Sequence, residues 1–141
     1  MINSFENYLK LGKAKRKTID PEESKALFQK ANGRFKYTKS KEITEITAQF
    51  ILEDAYEVAR EAAQSLMSLK GYKPYSHEAT IAFIKDYYKE FTPEDINNFD
   101  RFRVLRNNSV YKAEPVSKED AKTSLLFASK FIKKVESILF Q

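Results

Sequence analysis

The feature that most constrains the fold is a helical repeat of apolar residues that runs from about Ile43 to Leu69. At about 100° per residue, one side of a helix collects Ala48, Ile51, Ala55, Val58, Ala59, Ala62, Leu66 and Leu69. Many of these residues are alanines, whose small side chains let a neighbouring helix approach closely. We therefore predict that this long helix lies at the centre of the fold.

Two shorter helices are predicted before the central one. Asn3 or Ser4 can cap a first helix, because both side chains accept a backbone N–H. Asp20 and the proline after it favour the start of a second helix, since aspartate is a good N-cap and proline suits the first helical position. The Asn-Gly pair at 32–33 weakens this helix and leaves its end open. The basic run KAKRK at 13–17 is interpreted as a solvated connector.

Three helices are predicted after the central one. Gly71 marks the end of the central helix, and GYKPYS at 71–76 is predicted to be a loop. The later helices are predicted to run from Ser76 through Phe91, from Thr92 to about Tyr111 and from Ser117 to about Leu139. No strand pattern competes with them. Short connections between amphipathic helices favour antiparallel neighbours, so residues 1–141 are predicted to form a single all-α domain, an up-and-down antiparallel bundle of five to six helices.

Several kinds of site are excluded or disfavoured by composition. The chain has no cysteine, which excludes disulfides and thiolate metal sites. Its one histidine, His77, excludes His-pair metal motifs, disfavours a Ser-His-Asp triad, and is interpreted as a packing or capping residue. The acids Asp54, Glu57 and Glu61 are interpreted as a solvated helix face. We expect no metal and no cofactor.

The charge and hydropathy patterns bear on the kind of partner. The chain has 25 basic and 20 acidic residues, and its net charge of +5 is compatible with a nucleic-acid partner. No apolar run approaches membrane-spanning length, and the N-terminal MINSFENYLK lacks the apolar core of a signal peptide. The expectation is a cytoplasmic protein without a membrane partner.

The segment RFRVLRNNSVY at 101–111 contains an arginine in an unexpected place. On the fifth helix, Arg106 projects from an apolar arc that consists of Phe99, Phe102, Leu105 and Val110. An unpaired buried charge is costly, which leaves three interpretations. Arg106 reaches solvent at the rim of the helix. It pairs with Asp54, Glu57 or Glu61. It faces a phosphate in a functional cleft.

The succession of elements around this arginine resembles the HEPN (higher eukaryotes and prokaryotes nucleotide-binding) family. A long helix, GYKPYSHEAT, a helix ending in LRNNSVY, and PVSKEDA opening a last helix carry the resemblance between about Ile43 and Leu139. It implies a helical bundle that commonly forms a two-fold dimer. Many members are metal-independent ribonucleases, often toxins encoded beside a small nucleotidyltransferase antitoxin. Others are non-catalytic binding or scaffold domains.

The family signature is an arginine, usually followed by asparagine, with a histidine a few residues later. Arg106 and Asn107 match its first two positions, and Tyr111 stands where the histidine would fall. A phenol, with an ordinary pKa of about 10, is a poor general base at neutral pH. The resemblance thus implies Arg106 and Tyr111 as catalytic candidates, the second mismatched to its task. Arg106, Asn107 and Arg103 are the candidates for nucleotide or RNA binding.

Three functional hypotheses follow. The first is a non-catalytic HEPN-type protein that binds a nucleotide, RNA or a nucleotidyltransferase partner, as in a toxin–antitoxin pair. The second is a weak metal-independent ribonuclease that uses Arg106 and Tyr111. The third is a purely structural helical homodimer with Arg106 in a salt bridge. The missing histidine favours the first and third hypotheses. By analogy alone, Tyr111 or a nearby hydroxyl is a candidate acceptor of a nucleotidyl group.

Overall fold

The computed structural model describes residues 1–141 as six helices and one two-stranded ribbon. In chain order the elements are α1 (Phe5–Lys10), β1 (Ala14–Arg16), α2 (Pro21–Lys39), α3 (Ala48–Lys70), β2 (Tyr72–Pro74), α4 (His77–Tyr87), α5 (Pro93–Lys112) and α6 (Lys118–Leu139). The predicted all-α bundle is confirmed. No helix combines the length and apolar character needed to span a membrane.

Helix α3 lies at the centre, as predicted, and packs most extensively against α2 and α6. Seven of the eight residues in the predicted stripe are buried, and Leu69 is half-buried. The helix begins at Ala48 rather than near Ile43 because two threonines form a turn before it. The backbone N–H of Thr44 donates to Thr47 Oγ1 at 2.8 Å, and that of Thr47 donates to Thr44 Oγ1 at 3.0 Å. Such side-chain bonds to the backbone compete with helix formation.

The predicted N-terminal helix caps are confirmed. A cap side chain accepts the backbone N–H three residues later at Ser4, Asp20, Ser76, Thr92 and Ser117. Helix α2 continues through Gly33 to Lys39. Helix α4 ends at Tyr87, before the predicted Phe91, because Tyr88 is extended. The chain then turns so that the rings of Tyr88 and Phe91 both enter the core.

The predicted connector at 13–17 and the predicted loop at 71–76 are wrong, because both contain a strand. Strands β1 and β2 pair antiparallel, with Lys15 opposite Lys73 and Arg16 opposite Tyr72. Each strand has three residues, which is too short for an alternating pattern to be recognised. Their pairing also joins segments that are far apart in the chain.

Gly71 connects α3 to this ribbon and has two reasons to be glycine. Its φ of +85° lies in the left-handed region, which residues with a side chain rarely adopt. A Cβ at this position would also lie 2.8 Å from the carbonyl oxygen of Lys17. The backbone N–H of Lys17 donates to the Gly71 carbonyl at 2.9 Å, so the end of α3 is hydrogen-bonded to the end of β1.

Candidate functional site

Arg106 lies on α5 and faces α3, and its side chain is 18% exposed. Its Nη1 donates to Asn107 Oδ1 at 3.1 Å. Its Nη2 lies 4.0 Å from Glu57 Oε1, which is an ion pair beyond hydrogen-bonding distance. A guanidinium has five N–H donors, and only one of them has a hydrogen-bond acceptor within the chain. Most of the donors of Arg106 therefore remain available to an external acceptor.

The carboxylate nearest to Arg106 is held by another residue. Arg60 donates to Glu57 through Nε and Nη2 at distances from 2.8 to 3.2 Å. Burial raises the pKa of Glu57, but the hydrogen bonds and charge of Arg60, with the charge of Arg106, outweigh it and hold that pKa below its ordinary 4.5. Glu57 is therefore ionised at neutral pH. One carboxylate shared between two guanidiniums leaves a net positive charge at this place.

Arg103 is paired more fully than Arg106. Its Nε donates to Asp100 Oδ1 at 2.8 Å, and its Nη1 lies 3.8 Å from Glu78 Oε1. Glu78 belongs to the first turn of α4, so this ion pair joins α4 to α5. Arg103 lies one turn before Arg106 and adds positive charge to the same side of α5.

His77, at the start of α4, is the residue of this cluster that the sequence interpretation missed. Its Nδ1 lies 2.8 Å from the hydroxyl of Tyr56, and the two rings stack with their centroids 5.6 Å apart. This contact agrees with a packing role. However, Nε2 has no hydrogen-bond partner within the chain and is not buried. It is open to a ligand.

The surroundings of His77 keep its ring neutral. Burial lowers its pKa below the ordinary 6.5, and the positive charges of Arg60 and Arg106 lower it further. Burial likewise raises the pKa of Tyr56, so its hydroxyl keeps its proton. The sequence around Arg106 does not indicate that His77 lies in the same cluster. Strand β2 decides this placement, because it determines where α4 begins relative to α3.

The signature residues that the sequence identified do lie together. The Arg106 guanidinium lies over the ring of Tyr111, with 5.7 Å between Cζ and the ring centroid, and Tyr111 is 73% exposed. Asn107 accepts the one hydrogen bond that Arg106 donates. The predicted apolar arc is only partly correct. Phe99 and Phe102 are buried, but Val110 is exposed because Ser109, not Val110, faces α3 at this end of α5, where it is buried and donates to Glu53 at 2.7 Å.

The acids of α3 do not form a solvated face, so that interpretation is wrong. The side chain of Glu61 is 4% exposed, and Arg34 Nε donates to it at 2.8 Å. Arg34 Nη1 also donates to Asp54 at 3.3 Å. Helix α2 packs over this part of α3 and supplies the arginine, a partner that sequence spacing does not reveal. Of the three interpretations of Arg106, pairing with this group is limited to Glu57, at 4.0 Å and without a hydrogen bond.

Residues 24–138 match the family model described as HEPN domain. The match begins in α2, ends one residue before the end of α6 and includes Arg106, Asn107 and Tyr111. No curated protein sequence matches the chain.

Proposed function

The chain belongs to the HEPN domain family, and from this premise we propose that it binds RNA or a nucleotide through a phosphate contact at Arg106. The unused donors of Arg106 are the observation that carries the proposal. A guanidinium holds phosphate oxygens through paired N–H donors, and it does so at any ordinary pH. Because its side chain is only partly exposed, its charge is screened by water less than that of a surface lysine.

The neighbouring residues support an anion rather than a structural salt bridge. Arg34 and Arg60 each donate more than one hydrogen bond to carboxylates, whereas Arg106 donates none. The third hypothesis, a purely structural arginine, requires a well-formed carboxylate pair. The 4.0 Å separation from Glu57 argues against it. Asn107 orients the guanidinium, which lies over the ring of Tyr111.

We further propose that two copies of the chain associate through the outer side of α5 around a two-fold axis. Val110 and Tyr111 expose apolar surface at this end of α5, and the Tyr111 ring centroid lies 5.7 Å from Cζ of Arg106. Association on this side would place two Arg106 residues near one groove. A stable interface of this kind should bury more than about 1,000 Å² in total. A small nucleotidyltransferase, as in a toxin–antitoxin pair, remains the protein partner that we propose from the family.

RNA cleavage is the second candidate function. The position of His77 favours a route through this histidine over a route through Tyr111. A neutral imidazole at Nε2 would accept the proton of a ribose 2′-hydroxyl as that oxygen bonds to phosphorus. The bond from phosphorus to the 5′-oxygen would break, and that oxygen would take up a proton from water. Arg106 would stabilise the charge on the phosphate. The Tyr56 hydroxyl can donate to Nδ1 or accept from it, so both protonation states of His77 keep a partner.

Binding of a fluorescent single-stranded RNA by the wild type and by Arg106→Ala tests the proposed function. Arg101→Ala is the matched control, since Arg101 lies on the same helix but pairs with Asp120 at 2.6 Å. Loss of a hydrogen bond to a charged group should weaken binding by about 1.5–3 kcal/mol in Arg106→Ala alone. Equal affinity of the three proteins would exclude the phosphate contact and return Arg106 to a structural role.

A further inference from the structure

The positive charge of the chain is concentrated in one place outside the Arg106 site. Residues 10–17 and 70–73 contain Lys10, Lys13, Lys15, Arg16, Lys17, Lys70 and Lys73. These two segments hold seven of the 25 basic residues and none of the 20 acidic ones. The rest of the chain, with 18 basic against 20 acidic residues, has a net charge of −2. The whole positive excess therefore belongs to these segments.

Pairing of β1 with β2 brings the two segments together as one surface. Lys15 lies directly opposite Lys73, and both side chains are exposed. Like charges at directly opposite positions of a sheet repel each other and destabilise the pair. Only Lys10 and Lys17 in this group have carboxylate partners, which are Glu6 and Glu23. The remaining cations have no carboxylate within 4.0 Å, as expected of a surface that meets an anion.

An aromatic ring lies among these cations. Tyr75 is 55% exposed, and the ammonium groups of Lys15 and Lys73 lie 5.7 and 5.6 Å from its ring centroid. The backbone N–H of Tyr75 donates to the Lys13 carbonyl at 2.7 Å. The backbone that carries the ring is therefore held in place at the end of the ribbon. Exposed aromatic rings beside cations bind single-stranded nucleic acids, because bases stack on the ring and phosphates meet the charges.

We propose that the β1–β2 ribbon is a second binding surface for single-stranded RNA, with a base stacked on Tyr75 and phosphates at Lys15 and Lys73. Arg16, the next residue of β1, projects to the opposite face of the ribbon, where its guanidinium lies 5.2 Å from the centroid of the Tyr72 ring, so it is not part of the surface formed by Lys15, Lys73 and Tyr75. An acidic polypeptide would use the same cations but would have no use for the exposed ring. The ring therefore decides in favour of RNA.

In the chain, the ribbon immediately precedes α4, which carries His77. Tyr75 is two residues before His77, and the first turn of α4 contacts α5 through Glu78 and Arg103 at 3.8 Å. A strand of RNA on the ribbon is thereby led toward Arg106. This direction rests on the proposed function, whereas binding at the ribbon does not.

The test is fluorescence anisotropy of a short unstructured RNA at several salt concentrations. The variants are Lys15→Ala/Lys73→Ala and Tyr75→Ala, and the control Lys122→Ala/Lys133→Ala removes the same charge from exposed positions of α6. Loss of two phosphate contacts should reduce the slope of log K against log salt by about 1.4. Tyr75→Ala should weaken binding by about 5- to 150-fold, and Tyr75→Phe should retain it.

Two results would overturn the proposal. One is an equal loss of affinity in the α6 control and the ribbon double variant, which would indicate general charge attraction. The other is wild-type affinity in Tyr75→Ala together with full competition by poly-glutamate, which would indicate an acidic protein partner. Arg106→Ala separates the two sites. If it binds like the wild type while the ribbon variants do not, the phosphate contact at Arg106 fails and the ribbon stands.

Discussion

The hydroxyl of Tyr56 and Nδ1 of His77 lie 2.8 Å apart, and the two rings stack at 5.6 Å. This double contact fixes the imidazole of α4 against the central helix. It leaves Nε2 open beside a cluster that also contains Arg106 and Arg60, whose charges act on the ring. The chain thus has a titratable group in the site even though Tyr111 replaces the histidine of the family signature.

The first prediction concerns stability and pH. Burial first, and then the charges of Arg60 and Arg106, lower the pKa of folded His77 below its ordinary 6.5. As pH falls below about 6.5, the unfolded chain therefore takes up a proton before the folded one does, and stability is lost. Glu57 and Glu78 also face this ring, and the pKa of Glu57 lies below 4.5, outside this range. In urea unfolding of the wild type, His77 should lower the free energy of unfolding by at most about 1.4 kcal/mol for each unit by which the pH falls. This contribution should be absent from His77→Gln. Identical slopes in the two proteins would contradict it.

The second prediction concerns cleavage. We expect little or no metal-independent cleavage of a mixed RNA by the wild type at pH 7, because the signature histidine is absent. The measurement compares the wild type with Arg106→Ala, Tyr111→Phe, Tyr111→His and His77→Gln. Clear wild-type cleavage that Tyr111→Phe abolishes would overturn the non-catalytic interpretation in favour of Tyr111. Cleavage that survives in Tyr111→Phe and disappears in His77→Gln would establish the route through His77.

The third prediction concerns association. Light scattering should find a dimer at micromolar concentration, and Val110→Glu should shift it to monomer because a charge would enter the proposed interface. Val110 is exposed in the single chain, so the substitution should leave the fold intact. Leu126→Glu, at an exposed position of α6, is the control and should remain dimeric. A wild type that is monomeric throughout would remove both the dimer and the composite groove.

The fourth prediction uses two glycines with opposite expectations. Gly71→Ala should destabilise the fold by about 1–3 kcal/mol, because φ is +85° and the new Cβ would meet the Lys17 carbonyl oxygen at 2.8 Å. Gly33→Ala should stabilise it by about 0.5–1 kcal/mol, because Gly33 lies inside α2 with nothing within 4 Å of an added Cβ. Thermal unfolding of both variants gives the comparison. Destabilisation by Gly33→Ala would show that α2 does not pack as described.

Most features that the sequence predicts correctly depend on interactions between residues that are close together in the chain. The caps at Ser4, Asp20, Ser76, Thr92 and Ser117 were predicted correctly, because a cap involves residues three positions apart. The start of α3 was predicted too early, since the apolar repeat continues into a turn in which Thr44 and Thr47 bond to each other's backbone. The two strands were missed because neither has a pattern of its own.

The sequence alone determined a bundle of five to six helices, most of their boundaries and the grouping of Arg106, Asn107 and Tyr111, which lie within a few residues of one another on one helix. Only the tertiary structure decided which charges are compensated. Arg34 on α2 donates a hydrogen bond to the carboxylate of Glu61, and Arg60 donates to that of Glu57. Most of the N–H donors of Arg106 have no acceptor within the chain. The pairing of β1 with β2 likewise decided that the scattered lysines form one surface. These outcomes depend on contacts between distant segments, and a pattern along the chain records only the neighbours of each residue.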